Sequence, residues 1–403
     1  MRISASSVLL AATLLWAQPA RAQGIPSEPI RVFDGHLVFT GEAVATAGAS
    51  DEESYFNYTA YERNALRMVR LSFGGLWQPV ERVAFVAEIR SENFDEPGAY
   101  AAYVRVRPWL SHGFDIQAGR IPPVFGAFPR RIYNSDRFLI GYPLAYQYLT
   151  SLRPDASPII ADDLLRMRAR GWRSTFPLGS LYAGPGVPLI SAFQWDTGVQ
   201  ARFLTEHTES AVAVTTGTLS NPRVVDDNNT KQVSGRFALR PVPGLVIGAS
   251  AARGGWLSRE VPTVDGLSRY TQTTAGADAE YSRDHWMVRS ELVWTSWRLP
   301  FAAQPPEGPS VSALATWIEG RYRVSPRWYV AARADRLGFS SITSTIPGSR
   351  PVPWEAPVFR CEAGGGYYIR RNIVAKASVQ WNDRDGGRVT SRAFLSGQVA
   401  YWF

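Results

Sequence analysis

Apolar and polar residues alternate along most of this chain. In VAFVAEIR, Val83, Phe85, Ala87 and Ile89 fall on one side, and Ala84, Val86, Glu88 and Arg90 on the other. AAYVRVR sets Ala102, Val104 and Val106 against Tyr103, Arg105 and Arg107. VSGRFALR sets Val233, Gly235, Phe237 and Leu239 against Ser234, Arg236, Ala238 and Arg240. ALATWIEGRYR opposes Leu314, Ile318 and Tyr322 to Trp317, Glu319, Arg321 and Arg323. Side chains of a strand point alternately to its two faces, so each run predicts a strand with one apolar and one charged face. No run after residue 22 is apolar for the roughly 20 residues that a membrane helix needs.

Short and long connections alternate between these runs. Seven tight turns are expected, at QPVER (78), WLSHG (109), TEHTE (205), PVPG (241), SRDH (282), VSPR (324) and RRN (370). Eight longer segments lie between them, at 49–64, 91–98, 121–191, 219–231, 257–270, 299–311, 340–356 and 382–388. Seven plus eight connections join about sixteen strands into an all-β meander. Strands of about ten residues with short turns at one rim and long loops at the other predict a transmembrane antiparallel β-barrel, its short turns periplasmic. Closure of the last strand on the first leaves no open edge, which a lipid environment requires.

The end of the chain, FLSGQVAYWF, supports closure. Leu395, Val399, Tyr401 and Phe403 form the lipid-facing side of a closing strand, with Ser396, Gln398 and Trp402 toward the lumen. A terminal aromatic residue behind alternating apolar ones resembles the assembly signal read by the barrel-insertion machinery. Trp77, Trp286, Trp328 and Tyr367, near predicted strand ends, fit an aromatic girdle at the outer-membrane lipid interface. At the other end, a positive start, the brief apolar run Val8–Leu15 and the ARA step at 20–22 predict a signal peptide over 1–22, leaving a single barrel domain over 23–403.

Composition sharpens this picture. The formal net charge is +8, and loss of Arg2 and Arg21 with the signal leaves +6. Of 43 basic residues only Lys231 and Lys376 are lysine. The one cysteine, Cys361, excludes an intramolecular disulfide and any CxxCH haem site, and no cofactor is implied.

A barrel of about sixteen strands is too wide for its own side chains to fill, so an aqueous channel is the default expectation. Parity turns Arg70, Arg90, Arg105, Arg107, Arg236, Arg240, Arg321, Arg323 and Arg333 toward the lumen, together with Arg202, Arg360, Arg370 and Lys376. Glu88, Asp115, Asp196, Asp278, Glu280, Glu291, Glu319, Asp335 and Glu362 face them. The excess is positive, which favours small anionic solutes. The segment 121–191 is too long for an ordinary connector and is expected to fold inward and narrow the pore. It holds Arg130, Arg131, Arg137, Arg153, Arg166, Arg168, Arg170 and Arg173 against four aspartates, and these arginines are the expected constriction. Guanidinium suits that task because it stays charged and grips oxyanions with two parallel hydrogen bonds. The stretch ADDLLRMRARGWR also reads as a short helix, acids first and arginines last, in which the arginines are a solvated face.

IQAGRIPPVFGAF, Ile116–Phe128, resembles the end of the fifth strand and the start of the inward loop in the phosphate-selective porin O/P family. The resemblance carries over Gly119, Arg120, Pro123, Phe125 and Gly126 as the loop entry. It implies a homotrimeric diffusion channel whose inward third loop forms the constriction. Tight phosphate selection in that family goes with a lysine-rich constriction, and here no lysine precedes Lys231. The expectation is therefore a porin with anion preference, phosphate and organic acids being the solute classes.

Two other functions each match part of the pattern. A barrel-based hydrolase needs a histidine with serine or acidic partners, yet His112, His207 and His285 fall in separate short turns and GxSxG is absent. An export conduit for an acidic polysaccharide fits an arginine-lined lumen, but not a long inward loop. Nucleic acid is not expected, because the basic residues alternate with apolar ones along strands and form no patch.

Overall fold

The structure is a computed structural model that describes residues 25–51, 56–58, 64–192, 194–263, 266–300 and 310–403. The expected signal peptide, 1–22, lies outside the described residues. Sixteen strands build one barrel: β1 Leu37–Gly48, β2 Met68–Val80, β3 Val83–Glu92, β4 Gly98–Val106, β5 Gly113–Ile121, β6 Asp196–Leu204, β7 Thr208–Thr215 and β8 Gln232–Leu239, then β9 Leu245–Gly255, β10 Thr271–Arg283, β11 Trp286–Arg298, β12 Ser310–Arg323, β13 Trp328–Phe339, β14 Val358–Arg370, β15 Ile373–Arg384 and β16 Ser391–Trp402. Each pairs antiparallel with the next, and β16 returns to β1 from Glu42 opposite Trp402 to Gly48 opposite Ser396. Phe403 completes the seam, its backbone N–H and C=O both bonded to Gly41. A short strand, Ile30–Val32, pairs with the start of β1 beyond the point where β16 ends.

The alternation seen in the sequence is the alternation of the wall. Outward residues such as Phe85, Ile89, Phe237, Leu314, Ile318, Leu395 and Val399 are exposed to the surroundings of the barrel, whereas Ala84, Arg90, Arg236, Glu319, Ser396 and Gln398 are covered inside it. Aromatic pairs cluster at the short-turn rim: Trp77 on Phe85 at 5.1 Å, Trp286 on Tyr322 at 4.6 Å and Trp328 on Tyr367 at 4.7 Å between ring centres. Such rings sit where headgroups meet water. Cys361 lies on the outer face of β14.

The connection 122–195, between β5 and β6, turns inward instead of standing above the barrel. It carries a 3-10 turn at Phe128–Arg131, α1 at Leu144–Gln147, a two-residue ladder joining Ala156–Ser157 to Leu178–Gly179, and α2 at Ala161–Arg166. Its apolar residues Phe125, Phe128, Ile140, Tyr142, Leu144 and Tyr146 pack with wall residues such as Trp297, Trp317 and Leu337 in one core. The hydrophobic core of this protein is thus inside the barrel, between the wall and its own inserted segment.

Candidate functional site

The inserted segment makes a hairpin down the lumen. Gly126 and Ala127 enter at mid-height, where their N–H groups meet Ser250 Oγ on β9 (3.0 Å) and Glu291 Oε1 on β11 (3.3 Å). The tip, Phe138–Leu139, packs with Tyr329, Val374, Met287 and Trp402. Those four are the second residues of β13, β15 and β11 and the last of β16, so the tip reaches the short-turn rim. The chain then climbs through Gly141 and α1 and emerges at Ser151 among the long connections.

What holds this hairpin is a set of charged wall side chains bonded to its backbone. Carboxylates accept its N–H groups: Glu42 from Asn134 (2.7 Å), Glu362 from Gly141 (2.9 Å) and Asp335 from Leu144 (3.2 Å). Cations donate to its carbonyls: Arg333 to Gly141 (3.1 Å), Arg360 to Tyr142 (3.0 Å), and Lys376 to Asn134 (2.6 Å) and Arg137 (2.7 Å). Irregular backbone at membrane depth persists only where such partners satisfy it. Glu291 also accepts from Tyr146 Oη (2.6 Å) and Trp317 Nε1 (3.1 Å). Arg333 sits between three carboxylates, Asp335 at 2.9 Å, Glu362 at 2.8 Å and Glu319 at 3.3 Å, all buried. Phe138 lies between two guanidinium groups, Arg289 at 4.1 Å and Arg321 at 4.3 Å from its ring centre.

Outside the strands, Glu355 does the same for the upper part of the segment. It accepts from Ser151 N (2.8 Å), from the Ala169 N–H and from Ala356 N (2.7 Å). Burial pushes its carboxyl above the ordinary range, and the three N–H donors oppose that rise.

The arginines expected to form the constriction divide into two groups. Arg131 and Arg137 stand at barrel depth. Arg131 pairs with Glu280 on β10, and Arg137 braces the hairpin through Ile140 O (3.0 Å), Asn134 Oδ1 and the Tyr142 ring (3.8 Å). The Arg130 side chain lies outside the described residues. The other five belong to the outer part. Arg153 is held by Asp155, Ser174 O and Tyr182 O, and Arg168 by Asp385 in the β15–β16 connection. Arg166 pairs with Asp163 within α2 and is exposed, as are Arg170 and Arg173.

The loop-entry residues form a tight corner. Gly119 and Gly126 have φ of +128° and +61°, and a Cβ on Gly126 would collide with Glu291 Oε1 and lie 2.9 Å from Tyr146 Oη. Arg120 Nε donates to Trp195 O (3.1 Å), tying entry to exit, and the buried Phe125 lies against Gly276 of β10. Pro123 stands between them.

The lumenal arginines also divide, by height. In the outer half and at mid-height they are neutralised: Arg70 with Glu92 (2.6 Å), Arg90 with Glu88 (3.1 Å) and, at mid-height, Arg236 with Asp278. Toward the short-turn rim they stand in a cavity of about 370 Å³ lined by Arg105, Arg107, Arg202, Asp115 and Glu209. Glu209 is shared by Arg202 (3.6 Å) and Arg240 (3.5 Å), and Arg105 and Arg107 make no ion pair among the described residues. Arg323 is exposed at the same rim. The sequence did not show that the wall acids serve the hairpin backbone. The only signal was their number on a face that also had to accommodate a long connection.

No family model matches the chain. Its likeness to solved structures spans almost its whole length. An anion-selective porin from Comamonas acidovorans superposes with a TM-score of 0.55 at 8% identity, covering 91% of this chain and 99% of that one. The chain has a porin fold. OmpF of Salmonella typhi, in complex with daunomycin, gives 0.54 at 11% identity over 93% and 100% of the two chains. The trimer form of OmpT, an outer membrane protein of Vibrio cholerae, gives 0.52 at 9% over 91% and 99%. A curated acylphosphatase of Acidothermus cellulolyticus is 34% identical over 82 residues, 18% of this chain and 78% of that protein. That likeness is confined to its stretch. The described helices of this porin fold are only four and six residues long, and its main sheet is the closed barrel.

Proposed function

We propose that the chain forms an outer-membrane diffusion channel for small solutes with a preference for anions, phosphate and organic acids among them. One observation carries the preference: the accessible half of the lumen holds arginine in excess of acid, with Arg105 and Arg107 free of ion pairs among the described residues. Fixed charge of one sign in a low-dielectric cleft raises the local concentration of counter-ions. The anion-selective porin with the same fold agrees with this reading. The trimer form of a porin-fold neighbour supports a homotrimer in outer-membrane lipid; delivery by a cleaved signal and insertion through the Leu395, Val399, Tyr401 and Phe403 signature belong to the same proposal. A channel is favoured over an enzyme because porins share the fold, and His112, His207 and His285 stand in three separate turns.

Proteoliposome swelling tests the reading. Gluconate, glucose and glucosamine are similar in size and differ in charge. The channel is expected to pass gluconate at least twice as fast as glucosamine. Faster entry of glucosamine would overturn the anion preference, and absence of swelling with all three would overturn the channel.

A further inference from the structure

The inserted segment covers the lumenal face of the whole wall. On every strand at least one lumenal side chain in the central or outer half is buried, from Thr46 on β1 through Gln117 on β5, Ser250 on β9 and Asp335 on β13 to Gln398 on β16, none more than 7% exposed. These residues are linked across the register, Arg70 opposite Glu92, Gln117 opposite Gln200, Thr274 opposite Thr295 and Leu337 opposite Val358, so the covered ring passes from strand to strand around the barrel. Below it, toward the short-turn rim, Ser72, Glu88, Tyr103 and Arg105 remain partly exposed. The cavity of about 370 Å³ beside Arg105 and Arg107 lies on this short-turn side.

The inserted segment has two parts. Its upper part, 142–190, shares an apolar core with Trp256, Trp297 and Trp354 and with the long connections. Its descending arm, 127–141, reaches the same core through Phe128, Ile132 and Ile140, and is held along its length by side-chain to backbone hydrogen bonds and by the Phe138 seat. Discrete polar catches of this kind can be released one after another.

We infer that the arm 127–141 is a gate, closed in this structure, and that solutes pass when the arm leaves its seat on β11–β15. The inference deepens the channel reading and rests on it. Gly141, whose backbone meets Glu362 and Arg333, is the upper catch, and Phe138, held by Arg289, Arg321 and Tyr329 Oη at its carbonyl (3.0 Å), is the lower one.

The test uses the full-length protein in planar bilayers, with Cys361→Ser as background. Gly141→Cys with Gln380→Cys places one thiol on the arm and one on β15 in its neighbourhood, the end of the Gln380 side chain lying 2.6 Å from a Cβ built at 141. The oxidised tether is expected to hold single-channel conductance below one-tenth of the reduced value, with dithiothreitol restoring it. Replacement of 127–141 by a short Gly-Ser linker is expected to raise conductance at least threefold and abolish closures, and this variant decides the question if the tether does not oxidise. A tethered channel that conducts like the reduced one overturns the gate. A linker variant that conducts like wild type overturns it too, while leaving the channel reading intact. A folded linker variant that does not conduct overturns both.

Discussion

Replacing Arg333 by methionine removes the centre of the most densely paired cluster in the lumen. The guanidinium serves Asp335, Glu362 and Glu319 at 2.9, 2.8 and 3.3 Å and also donates to Gly141 O. Methionine fills a similar volume but leaves three buried carboxylates facing each other. Breaking a buried ion pair from one side costs about 3–5 kcal/mol, because the surviving charge is left uncompensated. Two of those carboxylates hold the hairpin, Glu362 through Gly141 N and Asp335 through Leu144 N. The cost should therefore appear as local release of the hairpin and not as unfolding of β13, whose ladders to β12 and β14 are untouched. In the limit where exchange reports opening free energy, 3–5 kcal/mol corresponds to a fall in protection of roughly 150- to 5,000-fold. Amide hydrogen exchange on the refolded protein in detergent is the assay. Gly141 and Leu144 are expected to lose protection by that factor, while Ala332 and Ala334 on the same strand change less than threefold. Unchanged protection at Gly141 and Leu144, or an equal loss along all of β13, would refute the reasoning.

Three further outcomes are expected. Phe138→Ala empties the seat between Arg289 and Arg321, a loss on the order of 3–5 kcal/mol for a buried phenylalanine, and should raise both open probability and current noise in single-channel records. Gly126→Ala places a Cβ against Glu291 at a left-handed φ, and should lower the midpoint of thermal release of the hairpin, followed by intrinsic fluorescence at Trp317, without changing the barrel's own melting. The Glu355 carboxyl is raised above 4.5 by burial, so the docked state binds more protons than the undocked one between 4.5 and that raised value. Docking of the upper segment is then most stable below 4.5 and weakens as pH climbs through the window. Limited proteolysis between about pH 4 and 8 should show that slope, and Glu355→Gln should reduce it.

Most of the barrel was legible in the sequence because a period of two survives without knowledge of neighbours. The seven short turns, the eight longer connections and the inward fate of the one after β5 all follow from alternation and length. The uncharged run AVAV, 211–214, lies within β7 because β6 and β8 pair with it on both sides. The closing strand was equally plain, since Leu395 and Val399 face outward and Ser396 and Gln398 inward as parity requires. The division of the arginines was not legible. Arg131 and Arg168 lie in one connection with similar local context, yet one meets Glu280 on β10 and the other Asp385 beyond β15. Such partners lie far away in the chain and become neighbours only once the hairpin has been threaded into the barrel. For the same reason Glu291, Asp335 and Glu362 read as counter-charges for a pore and are instead acceptors for the inserted segment.

The claim that this barrel is a channel preferring anions is tested most directly by the zero-current potential across a planar bilayer under a potassium chloride gradient. The account predicts a potential whose sign shows chloride as the more permeant ion, and Arg105→Gln with Arg107→Gln should move it toward zero. A potential of cation-selective sign in the wild-type protein would contradict the account.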